Sequence, residues 1–518
     1  MSILRMRGTN QVPSQAEAHA IRFYLQELQT MPPSASGTRD QQALRALLSP
    51  ARRVAPELVA HIFELCLPSD GLESGYRSHE APLLLCQICS GWRQVALNTP
   101  KLWNHMKIVL PLARLAPASW ALQINQASFS SSVWLSRART SQLSISVISI
   151  LSGESNLSSQ IWFPAATALV ARLLIQYGRQ IRRLSLELPI PCTLPLLRTN
   201  CLSLKRLTIL DIGAWYPTTD GAPQNVESTM LLGVGFAEQL HDVIITTPHL
   251  CIKKTRLPWA QLTHATIKYS ISLAGCLILL RTCQRLHTLR LHVEGNMELP
   301  AGTGPAINHG IRELGVYGHP SESGATILDA IEVPNLKKLI IGDDYDLGSL
   351  LSFLKRLQRP LLSLSFKNIL WMPEEELVLV LQLVPSLKEL FSISTFHNHL
   401  LEMLTPAEDE NEFAVLCPLL ESVELRLQLP NEQVVDFIQT RWGISHKSCP
   451  GVARLRRAHI TFMSPHHRHE SWDWDEAAWI QKAAQWRGEG MDLVLSDYTW
   501  EITPFDAAYA DEPEAEEA

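Results

Sequence analysis

Apolar residues recur along this chain with two different periods, and the change from one to the other divides it. Up to about residue 108 the period is helical. Residues 16–30, AEAHAIRFYLQELQT, place Ala20, Phe23, Tyr24 and Leu28 on one side, which predicts an amphipathic helix. The stretch MPPSASGTRD then breaks the pattern, and a second helical segment leads from Gln41 to Ser49 and Pro50. VAPELVAHIFELCL (54–67) sets Leu58, Ile62, Phe63 and Cys66 at helical spacing, with Pro56 acceptable in the first turn. A polar, glycine-containing loop (68–80) follows. Leu85, Cys89, Trp92 and Ala96 then stand at i, i+4, i+7 and i+11, the stripe of one helix over 85–97 that Asn98, Thr99 and Pro100 end.

Past residue 180 an apolar-x-x-apolar-x-apolar core repeats, beginning at residues 181, 204, 240, 262, 286, 311, 336, 361, 387, 420 and 452. Seven of the ten spacings fall within the 20–29 residues of leucine-rich repeats. The core is imperfect at 262, 387 and 452, where Ala265, Ser392 or Arg457 takes an apolar position. Helical patterns lie between the cores, at Gly324–Ile331, Leu347–Leu357, Glu374–Leu383 and Glu432–Arg441. The third opens with three glutamates where a helix dipole favours them. Such a strand-plus-helix unit is too small to bury its own apolar face, so the expectation is an α/β fold, a curved solenoid with parallel strands. Residues 473–486 and 491–496 supply its C-terminal cap. LSISVISI (143–150) reads as a strand and Phe163–Gly178 as a helix, making 111–180 irregular first repeats.

Composition narrows the function classes. A chain of 518 residues with net charge −6 is too long for one ordinary core and gives no reason to expect nucleic acid. Ten cysteines and no apolar segment behind MSILRMRGTN predict a protein of a reducing compartment, cytoplasmic or nuclear, without a signal peptide. No apolar run approaches the ~18 residues of a membrane span. Cys86 and Cys89 supply at most two zinc ligands and no second such pair exists, so buried small residues are the simpler reading. The HHRHE run (466–470) has no partner ligands at a defensible spacing, and His397 and His399 are no stronger, so no metal and no cofactor are expected. Phosphate-loop, Gly-x-Ser-x-Gly and His-Glu-x-x-His motifs are absent, which argues against an enzyme. The acidic end ADEPEAEEA is expected to be disordered.

The helical region carries a resemblance. Pro56, Glu57, Leu58, Ile62, Phe63, Ile88, Cys89, Trp92, Arg93, Pro100, Leu102 and Trp103 resemble an F-box motif over about 49–108. Ala55 stands where the motif has leucine, and the 68–80 loop is longer. With a preceding amphipathic helix and following repeats, the arrangement is similar to the large fungal F-box family. That resemblance implies a segment 1–48, an F-box at 49–108, a solenoid at 109–500 and a tail at 501–518. It also implies docking on a Skp-type adaptor, and through it a cullin, with the repeats presenting a protein substrate. Pro56, Leu58, Ile62 and Phe63 are the expected adaptor contacts; Cys89, Trp92, Val95, Leu102 and Trp103 are the expected scaffold beneath. A scaffold outside any ligase is the alternative, and a thiol oxidoreductase using Cys86 and Cys89 a distant third.

Outward strand positions, at offsets of two, four and six from each repeat start, suggest where a substrate binds. Basic residues there (Arg183, Arg206, Lys268, Arg290, Lys338, Lys367, Arg426, Arg454, Arg456) outnumber acidic ones (Glu187, Asp242, Glu313, Glu389, Glu424). A mildly basic face suits an acidic or phosphorylated partner, with Arg290, His292, Tyr317, Lys338, Lys367 and Arg426 as candidate contacts. Ordinary solvated strand residues would give the same pattern.

Overall fold

The computed structural model describes residues 12–30, 35–67, 78–110, 117–149, 159–211, 234–247, 252, 255–294, 304–318, 327–342, 345–367, 369, 372–396, 399–406, 415–427, 432–443, 451–462 and 476–497. Among the described residues, no helix is long and apolar enough to cross a membrane. The chain divides into two units, Met1–Leu240 and His241–Ala518. The HHRHE run, His397 and the tail from 501 lie outside the described residues.

The first unit starts with a helical hairpin, α1 (Gln15–Thr30) and α2 (Ala35–Leu47). Ser14 and Glu17 cap α1 reciprocally: the Ser14 backbone N–H donates to the Glu17 carboxylate at 2.9 Å, and the Glu17 N–H donates to Ser14 Oγ at 3.3 Å. Ile21, Leu25, Leu44 and Leu47 form the hairpin core. Phe23 and Tyr24, expected on the buried side of α1, are exposed. The pattern allowed two adjacent rows sharing Leu28, and α2 closes on the row through Ala18, Ile21 and Leu25.

Three short helices follow, α3 (Pro56–Leu65), α4 (Leu85–Ile88) and α5 (Ser90–Leu97), with a 3-10 turn at Pro100–Trp103. The single helix expected over 85–97 is broken at Cys89, whose backbone is extended at φ −157° and ψ 168°. Then strands alternate with helices: β1 (His105–Leu110), α6 (Pro117–Arg137), β2 (Leu143–Ser149), α7 (Ser159–Tyr177), β3 (Ile181–Glu187), a 3-10 segment at Ile190–Arg198 and β4 (Arg206–Leu210). All neighbouring strands here pair in parallel and in chain order. The repeating sheet therefore begins at residue 105, inside the segment the resemblance assigned to the helical module.

In the second unit the strands β5 (Asp242–Thr246), β6 (His264–Ser272), β7 (Thr288–Glu294), β9 (Glu313–Tyr317), β11 (Lys338–Gly342), β12 (Ser363–Lys367), β13 (Glu389–Phe396), β14 (Ser422–Leu427), β15 (Arg457–Phe462) and β16 (Asp492–Asp497) form one parallel sheet in that order. The two-residue strands β8 (Ala306–Ile307) and β10 (Ile331–Glu332) pair separately. Helices α8 (Leu273–Thr282), α9 (Leu347–Lys355), α10 (Glu374–Gln382), α11 (His399–Leu404), α12 (Glu432–Gly443) and α13 (Glu476–Gly488) connect strands. The fold is α/β with a parallel sheet, as the periodicity predicts. Within the helix expected at 324–331, the described residues 327–330 are instead a turn that leads into β10.

One turn recurs at the strand entries. The N–H groups of Leu204, Leu240, Leu262, Leu286, Leu336, Leu387 and Leu420 each donate to the carbonyl three residues before, at 3.0–3.2 Å. Every one of these leucines is buried, contributing roughly 1.5–3 kcal/mol apiece. The residue after the leucine reaches the preceding repeat, as in Lys205 N–H to Arg182 O and Lys337 N–H to Arg312 O, both 2.8 Å. The last core begins at Leu455 and not at the expected 452. Leu455, Ala458 and Ile460 are the buried set, and Arg457 opens β15 as an exposed residue. At 387 the misfit Ser392 marks a bulge in β13, where Ser394 Oγ donates to Ile369 O at 2.6 Å and its N–H to Ser392 Oγ at 3.3 Å.

The most deeply buried charge among the described residues of the second unit is Arg441 on α12, fully enclosed. Its guanidinium donates to the carbonyls of Leu404 (2.8 Å), Leu416 (3.1 Å), Cys417 (3.2 Å) and Pro418 (3.3 Å). These fix the turn where Cys417 takes φ 48°, an uncommon conformation for a residue with a side chain. Burial lowers the Arg441 pKa to about 10, which leaves it charged at neutral pH. Arg441→Met is expected to destabilise the protein by roughly 3 kcal/mol or more, because several buried carbonyls lose their donor. Arg441→Lys is expected to restore only part of this, since a single ammonium cannot span four acceptors. Urea unfolding of the three proteins checks both outcomes.

Candidate functional site

The helical module has a locked side and an open side. Phe63 on α3 is completely buried and meets Trp92 edge to face, ring centroids 5.0 Å apart. Trp103 is buried as well: its indole N–H donates to Ala96 O at 2.8 Å, Trp134 packs on it at 4.9 Å, and the Arg137 guanidinium lies 4.4 Å from its ring centroid. Leu102 completes this floor. Cys89 acts as the cap of α5, its Sγ accepting from the Trp92 N–H at 3.4 Å. Arg93 Nε donates back to Cys86 O at 2.7 Å, bridging the break between α4 and α5.

The opposite side of α3 carries Leu58, Ile62 and Leu65 at i, i+4 and i+7, and they are 61%, 49% and 75% exposed. Leu84, just before α4, and Ile88, its last residue, are exposed too. An open cleft of about 770 Å³ adjoins α3 and α5, lined by Val54, Pro56, Val59, Ile88, Trp92 and Val95 among others. An apolar stripe next to an apolar cleft is the arrangement a helical partner uses.

Of the expected contact residues, Leu58 and Ile62 point outward and Pro56 is exposed at the cleft rim. Phe63 is a correction: with no accessible surface it belongs to the core beneath the face. A helix this short presents 62 and 63 about 100° apart, so one faces out when the other faces in. Of the residues expected in the scaffold, Cys89, Trp92 and Val95 are half-buried and Leu102 and Trp103 are buried. Leu65 and Ile88 join the face beyond the expected set, although Leu65 sits one i+7 step from Leu58. Cys86 carries no sign of an activated thiol, since burial pushes its pKa up, against the opposing charges of Arg137 and Arg93.

The second unit gathers the candidate substrate contacts on one strand face. Arg290 sits opposite Gly315, His292 opposite Tyr317, Lys338 opposite Glu313 and Lys367 opposite Gly342. Arg426 lies on β14, opposite Thr395 and Thr461. Neighbouring acids take up part of the charge. Arg290 donates through Nε and Nη2 to Glu313 Oε1, at 3.0 and 2.8 Å. Lys388 pairs with Glu421 at 2.9 Å and Arg457 with Asp492 at 2.8 Å. Lys367 Nζ stands 5.6 Å from the Phe391 ring. Tyr317 is another correction, because its ring is buried flat against Gly342 and cannot offer much surface. Arg454 and Arg456, expected on the outward strand face, precede β15; Arg454 stacks 3.5 Å from the Trp442 ring. Asp242, expected on the outward face, is buried.

Among the described residues, no group of three or more His, Cys, Asp or Glu side chains could hold a metal ion. No protein-family model matches this chain, and no curated protein matches it.

The two sides of α3 should separate in mutagenesis. Phe63→Ala is expected to cost roughly 3–5 kcal/mol in urea unfolding, while Leu58→Asp with Ile62→Asp stays within about 1 kcal/mol of wild type. A Cβ at Gly342 would lie 2.1 Å from Tyr317 Cδ1. Gly342→Ala should therefore destabilise by about 1–3 kcal/mol, and pairing it with Tyr317→Ala should recover much of that loss.

Proposed function

We propose that this protein is a non-catalytic recruiting subunit: an F-box module that docks a Skp-type adaptor, joined to leucine-rich-repeat units that bind a protein substrate for a cullin-based ubiquitin ligase. The observation that carries the reading is the apolar stripe of Leu58, Ile62 and Leu65, left uncovered while Phe63 and Trp92 lock the other side of the same helix. A module whose helices served only as an end cap would turn that stripe inward. Exposing three large aliphatic residues on ten residues of helix is costly in a lone protein and understandable if a partner covers them. The residues that resemble an F-box motif fall on these same helices, which supports the family reading.

Within this proposal Leu58, Ile62, Leu65 and Ile88 meet the adaptor, and Pro56 borders the adjoining cleft. Trp92, Leu102 and Trp103 hold the surface rigid, so the partner meets a preformed shape. The strand faces then hold the substrate, with no cofactor and no chemistry of the protein's own.

Co-purification with the Skp-type adaptor of the source organism tests this. Wild type is expected to form a stoichiometric complex, and Leu58→Asp with Ile62→Asp is expected to lose it while keeping the wild-type circular dichroism spectrum and urea midpoint. A well-folded wild type that captures no adaptor would overturn the ligase reading and leave an interaction scaffold.

A further inference from the structure

The edge at which strands enter the sheet of the second unit carries charge of one sign. Residues 284–287, 309–312, 334–337 and 359–362 stand directly before β7, β9, β11 and β12. None of these residues is acidic, whereas Arg285, Arg312, Lys337 and Arg359 are basic. All four bases are exposed, and among the described residues no acid pairs with any of them. Bases inside the strands behave differently, since Arg290 and Arg457 each pair with an acid of the adjoining strand. In a chain of net charge −6 the positive excess is a local property of this edge.

Backbone pairing draws the entries into a row. The Arg312 N–H donates to His287 O, the Lys337 N–H to Arg312 O and the Leu362 N–H to Lys337 O, each at 2.8 Å. Strands stand ≈4.8 Å apart, so the four entries span roughly 14 Å and their bases act on one surface. Lys388 continues the row before β13, although it shares Glu421 at 2.9 Å. Ile307 adds an apolar member, 45% exposed. Its carbonyl accepts from the side-chain amide of Gln284 at 3.5 Å, and Gln284 is the neighbour of Arg285. The next residue, Asn308, is buried and donates to Leu280 O and Cys283 O, which holds the isoleucine at this edge.

We propose that this edge is a peripheral docking surface for an anionic lipid bilayer, with Arg285, Arg312, Lys337 and Arg359 at the headgroups and Ile307 at the acyl boundary. The proposal goes beyond the recruiting role and does not depend on it. Each exposed base near a negatively charged leaflet strengthens partitioning roughly fivefold, and the gains multiply across a row. A soluble polyanion would use the charges and leave Ile307 idle. The boundary of a bilayer takes both, because apolar side chains sink below the headgroups that the bases meet. Attachment of this kind weakens as salt screens the bases from the leaflet.

The probe is a vesicle of three parts phosphatidylcholine to one of phosphatidylserine, floated with the full chain. Vesicles of phosphatidylcholine alone, soluble polyglutamate and a single-stranded oligonucleotide are the other arms. Wild type is expected to bind the anionic vesicles at least about a hundredfold tighter than the neutral ones, and to leave them as salt rises from ~0.1 M to ~1 M. Arg312→Gln with Lys337→Gln should weaken binding roughly 30-fold, two fivefold steps. Arg285→Lys with Arg312→Lys should bind as wild type does, because a leaflet responds to charge and not to the guanidinium fork. Ile307→Asn should weaken binding severalfold and keep the wild-type salt dependence. All these side chains are exposed, so urea midpoints should match wild type and separate lost binding from lost fold. Equal binding of the two vesicles, binding untouched by the double glutamine variant, or tighter binding of polyglutamate or the oligonucleotide at equal charge would each overturn the proposal. Adaptor capture by the same variants should match wild type, so a failure at this edge is distinguishable from a failure of the docking helix.

Discussion

The parallel pairing of each strand with the one before it is the constraint on which the repeating part depends. A parallel ladder leaves no room for a hairpin, so every strand must be reached by a crossover and entered at a fixed register. The turn that ends in a buried leucine supplies that register. Its leucine fills the core, and the next N–H bonds to the previous repeat, so burial and backbone pairing are satisfied by one conformation. Apolar residues three and five positions after the leucine then fall on the buried face. Where they do not, as at Ser392, the strand bulges and the serines find backbone partners.

Polar groups inside this stack are tolerated where they replace missing backbone partners. Asn308 donates to Leu280 O and Cys283 O and accepts from the Gly310 N–H, closing one strand entry without a leucine turn of the usual kind. Arg441 does the same on a larger scale for four carbonyls. Both side chains stabilise by satisfying backbone groups that would otherwise be buried bare, so main-chain atoms hold each of them in place.

The helical module follows a different logic, and its consequence is functional. Aromatic contacts fix one side of α3 so firmly that the other side has no core left to join. The strand faces show the same separation: their inner positions are stacked leucines and isoleucines, and their outer positions are free to vary in charge from one unit to the other. The proposed function assigns binding to the sides that packing does not use.

The sequence by itself determined the α/β class, most of the repeat spacing and the parallel stacking of strands, because all of these follow from local period. Periodicity placed Leu58 and Ile62 on one apolar stripe together with Phe63, and did not state which of the three stays open. Only the tertiary structure decided which of two adjacent rows of α1 is buried, that Cys89 breaks a helix instead of filling one, that Phe63 faces inward, and that the Tyr317 ring is covered against Gly342. It also decided that the last repeat is framed on Leu455 and that β1 belongs to the sheet. Each of these turns on which neighbour arrives at a surface, and a periodic pattern states that a face is apolar without stating what covers it.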